Sequence, residues 1–142
     1  MLPSKNKLTI CFAHPAYQMA ARFATRDAGI AHVQARNPQD YAARLPDADV
    51  VVSSMMWRND LVPQAKRLRF VQSISAGIDQ YDKEVCRAHG IRLASAGVNT
   101  HAVAEHAMAL ILALKRHIHT GRYNQAASLW RGMISDIPAR ER

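Results

Sequence analysis

The chain has 142 residues, 49% hydrophobic and 21% charged, with a net charge of +8; that is enough apolar material for one domain with a real core, and it excludes a disordered chain. The longest unbroken apolar run, Ala107 to Leu114, is eight residues, far short of the ~20 that a membrane-spanning helix needs. Lys and Arg are scattered, as in Lys66-Arg67-Arg69, Lys115-Arg116 and Arg140-Arg142, with only 6% aromatics to stack on bases, so neither nucleic acid nor membrane is expected as a partner. The N-terminal MLPSKNKLTICFAHP lacks an apolar h-region and a small-residue cleavage site, so no secretory signal is read there. Cys11 and Cys86 form no CxxC pair, which points to buried, reduced thiols in a cytoplasmic protein.

Leu8 to Ala13 is nearly all apolar, the pattern of a strand covered on both faces. His14-Pro15 breaks it, and 16–28 has helical spacing with Met19, Ala20, Phe23 and Ala24 on one face and Gly29 beyond the end. Ile30 to Ala35 is a second strand, Asn37-Pro38 a turn, and 40–45 a short helix. Asp49 to Ser53 is a third strand whose three valines favour full burial. A bulky loop, Ser54-Met55-Met56-Trp57-Arg58-Asn59, precedes a proline-started helix over 61–68. Phe70 to Ser73 is a fourth strand, 82–89 a helix capped by Gly90, and 91–94 a fifth strand. Strands alternating with short helices predict a parallel, doubly wound α/β sheet.

The segment 100–119 departs from this rhythm. Positions 107–114 read AMALILAL, apolar all round, which predicts a helix buried on more than one side, by the sheet on one face and by a second domain or a second copy on the other. The tail from Gly121 has a helical middle, NQAASLWRG, and then the irregular SDIPARER.

Twice a strand gives way to Ser-Ala-Gly, at Ser75-Ala76-Gly77 and Ser95-Ala96-Gly97. Small residues let backbone N–H groups approach a ligand, and open α/β sheets bind ligands beyond the carboxyl ends of their strands. Ordinary strand-to-helix turns would show the same residues. Histidines at 117 and 119, and at 101 and 106, lack the i,i+4 spacing and the accompanying Cys or carboxylates of a metal site, so no metal is expected.

The stretches RFVQSISAGIDQYD, HGIRLASAGVNTHAVAEHAMALILALKRHI and SLWRG together resemble the D-isomer-specific 2-hydroxyacid dehydrogenase family over about residues 66–132. The resemblance implies a flavodoxin-like substrate domain over 1–96, a five-stranded parallel sheet of order 2-1-3-4-5, followed by a long apolar helix. It implies that 97–142 are a hinge, that helix and a connector towards an NAD-binding domain, with the crossing at Gly97. By the same resemblance the amides of Ala76 and Gly77 hold the carboxylate of a small 2-hydroxy or 2-keto acid, and Ser75 belongs to the same substrate-binding segment. Asn99 matches a residue that contacts substrate in formate dehydrogenases, although a helix N-cap would also place an Asn there. Met55 and Trp57 lie in the loop corresponding to side-chain specificity; a loop with an anchoring tryptophan is the plainer alternative. Glu105 follows the family pattern but sits near a helix N-terminus, where the macrodipole accounts for it.

The implied activity is NAD- or NADP-dependent hydride transfer in the full-length enzyme. Glycine occurs only at 29, 77, 90, 97, 121 and 132, with no pair one residue apart, so the dinucleotide fingerprint is missing. In the family the catalytic Arg, acid and His follow that fingerprint, so no catalytic residue is assigned here and the 142 residues alone are expected to be inactive. The competing reading is a non-enzymatic interaction module that dimerises through the apolar 100–119 helix.

Overall fold

The computed structural model describes residues 2–130. The chain divides into two compact units, Met1–Val98 and Asn99–Arg142.

In the first unit, five strands form one wholly parallel sheet: β1 (Thr9–Ala13), β2 (Ala31–Ala35), β3 (Val50–Ser53), β4 (Phe70–Ser73) and β5 (Arg92–Ala94), in the order β2-β1-β3-β4-β5. This is the strand order expected from the sequence. The pleat explains why β1 is apolar throughout. Ile10 and Phe12 face one cluster with Leu8 and Val50, packed against Met19, Ala20 and Phe23. Cys11 and Ala13 face the other and larger cluster, with Val51, Val71, Tyr41, Leu45, Val62, Leu68 and Cys86.

Short helices α1 (Met19–Ala24), α2 (Pro38–Arg44) and α3 (Lys83–Ala88) connect the strands. Asn37 caps α2 by accepting the Asp40 N–H at 2.8 Å, and Asp82 caps α3 by accepting those of Glu84 and Val85. Gly90, at φ +67°, takes the left-handed conformation that ends α3 without steric cost.

Four of the expected helices differ. The 16–28 helix is reduced to the six residues of α1: Pro15 and the exposed loop hold its start at Gln18, and Asp27 turns to positive φ at its far side. The expected 61–68 helix is a 3-10 segment, Asn59–Gln64, because Pro63 falls inside it and cannot donate an α-helical hydrogen bond. In the second unit, 100–119 is not one helix. It splits into α4 (Thr100–Lys115) and α5 (Ile118–Ala126), since His117 adopts a left-handed φ of 52°. The helical reading of 124–132 survives only to Ala126, and 131–132 lie outside the described residues.

The burial expected of the apolar helix is also not met. No residue of α4 is buried, and Met108, Leu110, Ile111, Leu112 and Leu114 are exposed. Among the described residues no helix is long and apolar enough to cross a membrane.

Candidate functional site

All five strands run the same way, so their carboxyl ends share one edge, and the loops leaving them share that rim. Register fixes their levels: Ala13 pairs with Ser53, and Ser53 with Ser73. The loops beginning at His14, Ser54 and Ile74 therefore leave the sheet side by side.

Ser75 is the pin of the third loop. Its Oγ and that of Ser54 share a hydrogen bond of 2.6 Å, tying the β3 and β4 loops together. Its N–H donates to Ser73 Oγ, and its carbonyl accepts both the Ser73 hydroxyl and the N–H of Ala96, each at 3.1 Å. The second Ser-Ala-Gly segment is thus joined to the first through backbone. Beyond this anchor Ala76 and Gly77 are exposed, and among the described residues neither amide N–H has an acceptor. Two adjacent amides without protein acceptors can take an anion without adding a titratable group. Asp79 stands close by: a Cβ placed on Gly77 would meet its Oδ2 at 3.4 Å.

The loop after β3 divides its bulky residues. Met55 is 77% exposed, whereas Met56 and Trp57 are each 8% exposed. Trp57 packs on Tyr81 with ring centroids 5.1 Å apart, and its indole N–H donates to Asn59 Oδ1 at 2.7 Å. Trp57 is therefore an anchor, and Met55 is the side chain this loop offers outward.

Asn59, which sequence reasoning passed over, organises the neighbourhood. Its side chain also accepts the Asp82 N–H at 2.9 Å and donates to the Gln80 carbonyl at 3.0 Å. The Tyr81 hydroxyl donates to the Ser53 carbonyl at 2.7 Å, closing the loop back onto the end of β3. Burial lifts the Tyr81 hydroxyl above its ordinary range, so it remains a donor. The missed signal was a short polar residue just upstream of a proline-containing turn, the kind that bonds backbone rather than solvent. His14, also missed, is buried at the end of β1.

Asn99 belongs to the second unit, where it takes the N-cap position of α4 without a side-chain capping bond. The Cys11 and Cys86 thiols are free and buried, and burial pushes Cys11 up to about 11. Among the described residues no group of three or more His, Cys, Asp or Glu could hold a metal.

A parallel β2-β1-β3-β4-β5 sheet defines an α/β domain of the flavodoxin-like order. Residues 10–133 match the family described as D-isomer specific 2-hydroxyacid dehydrogenase, catalytic domain, and the chain belongs to that family. Glyoxylate reductase of Pyrococcus furiosus is 36% identical over 81 residues, 55% of this chain and 24% of that protein. Two solved structures share the fold. The D-isomer specific 2-hydroxyacid dehydrogenase family protein of Aeromonas salmonicida has a TM-score of 0.70 at 20% identity, over 89% of this chain and 42% of that one. The NAD-dependent formate dehydrogenase of Staphylococcus aureus, in complex with NAD, has a TM-score of 0.63 at 22% identity, over 87% and 43%. The chain thus spans less than half the length of these relatives.

Proposed function

We propose that residues 1–98 are the substrate half of an NAD- or NADP-dependent D-2-hydroxyacid dehydrogenase, acting as a 2-keto acid reductase, and that the Ala76 and Gly77 amides orient the substrate carboxylate. The observation that carries this reading is the pair of exposed N–H groups without a protein acceptor, on a loop pinned through Ser75. Holding the acid group fixes the adjacent keto carbon for hydride transfer, and orientation of this kind supplies much of a rate enhancement. Met55 and Trp57 shape the side-chain pocket in this reading, one as its outward surface and the other as its support.

The residues described do not fit a nicotinamide dinucleotide. No strand-to-helix turn carries two glycines one residue apart, and at Gly77 the nearby Asp79 carboxylate is adverse to a pyrophosphate. The cofactor is assigned to the full-length enzyme, and these 142 residues are expected to bind the acid without reducing it. The partner proposed for the second unit is another copy of the chain, paired through the exposed apolar side chains of α4.

The test is a titration of the 15N-labelled chain with glyoxylate. Movement of the Ala76 and Gly77 amide signals ahead of all others is expected; unmoved signals at millimolar acid overturn the substrate reading. NADH oxidation by the pure chain with the same acid would overturn the assignment of the cofactor elsewhere.

A further inference from the structure

The first residue beyond β1 is a histidine that is only 7% exposed. His14 donates its backbone N–H to the Ala35 carbonyl at 3.1 Å. Its ring Nδ1 accepts the N–H groups of Ala16 at 3.1 Å and Tyr17 at 2.9 Å. The ring lies flat on Tyr17, with centroids 4.1 Å apart and planes 5° from parallel. The imidazole is therefore fixed in place, and an Nδ1 that accepts leaves the ring proton on Nε2.

Among the described residues that Nε2–H has no acceptor. Nor is it sealed in, because the buried side-chain atoms lacking a partner are Tyr41 Oη and Ser53 Oγ. The edge of His14 that reaches open space is thus a hydrogen-bond donor. Holding the loop amides needs only the acceptor at Nδ1, which an Asn would supply.

Its position gives that donor a use. The chain leaves β1 for β2 on one side of the sheet, while β3 leads to β4 on the other, so β1 and β3 flank the point where strand order reverses and ligands settle. His14 leaves the sheet level with Ser54 and Ile74, two strands from the Ser75–Gly77 segment. Two strand spacings are about 10 Å. A small 2-oxo acid with an oxygen on its third carbon, hydrogen-bonded at each end, is on the scale of that backbone separation.

We propose that His14 is a specificity residue whose Nε2–H takes an acceptor oxygen on the third carbon, or beyond, of a 2-oxo acid held by Ala76 and Gly77. This rests on the carboxylate reading of those two amides. The experiment compares hydroxypyruvate with pyruvate, which lacks that oxygen, by titrating the labelled chain while following the amides and the His14 ring. Hydroxypyruvate is expected to bind about three- to tenfold more tightly, the worth of one hydrogen bond, and to shift the His14 ring where pyruvate does not. His14→Asn, which keeps an acceptor near Nδ1 but lacks Nε2, should abolish the preference. His14→Gln, which extends an N–H towards the Nε2 position, should restore it in part. If both acids move Ala76 and Gly77 while His14→Asn retains the preference, the proposal is overturned and the carboxylate reading stands. If neither acid moves those amides, both fall. Should His14→Asn not fold, the wild-type ring signal decides: the same shift with either acid overturns the proposal.

Discussion

Ser75 shares a hydroxyl–hydroxyl hydrogen bond with Ser54, gives its N–H to Ser73 Oγ and accepts at its carbonyl from Ser73 and Ala96, so the loop is held firmly at this residue. That is why the next two amides stand free in a fixed direction. Ser75→Ala should therefore lower stability by ~1 kcal/mol in urea unfolding, the worth of the lost Ser54 bond, and loosen acid binding although both amides remain. Asp79 acts with the opposite sign. A carboxylate beside Gly77 repels a bound carboxylate, so Asp79→Asn should tighten glyoxylate binding at low salt, and the gain should shrink as salt is added. The pair Ala76-Gly77 was legible in the sequence because small residues after a strand are a local signal. The pinning role of Ser75 was not, since its partners come from another loop 21 residues away.

At the level of elements, Asn59 holds the start of its 3-10 segment, the Trp57 ring and the approach to α3 together. Asn59→Ala leaves a buried indole N–H and the Asp82 N–H without that acceptor, for an expected loss of ~1–3 kcal/mol, visible as a lower melting temperature and altered tryptophan emission. Asp49 does similar work at the opposite edge of the sheet. Its carboxylate accepts the Thr9 N–H at 2.9 Å and pairs with Arg67 at 2.8 Å, tying β1 to β3. The sequence placed Asp49 as the first residue of a strand and was silent on this tie. Cys11 adds a pH dependence. Burial raises its thiol from 9.0 to about 11, so between those values the unfolded chain releases a proton that the folded chain keeps. Folding should weaken as pH rises through that window, and Cys11→Ala should flatten that part of the stability-versus-pH curve.

Across the whole molecule, the two units present opposite surfaces. The first buries its apolar residues in two clusters, one on each face of the sheet. The second leaves Met108 53% and Leu112 50% exposed, and these side chains are the ones through which pairing is proposed. The chain is expected to self-associate. Light scattering should give a mass above that of one chain at high concentration, and a Met108→Lys, Leu112→Lys double variant should return it to the single-chain mass. A strictly monomeric wild type would refute the proposed pairing.

What the sequence determined by itself was the alternation of strands and helices, and that follows from local physics: apolar runs of strand length, turn residues between them, and an order of connections that few sheets satisfy. The stretch 66–132 added the family. Tertiary structure decided the rest. What anchors Trp57, what Ser75 bonds, and which nitrogen of His14 is left to donate all depend on partners distant in the chain or on a fixed ring geometry. The length of the apolar helix, too, was set by one left-handed residue, His117, whose side chain gives no sign of it. Hydrophobic periodicity reports which face a segment hides; it cannot report which hydrogen bonds close once the loops meet.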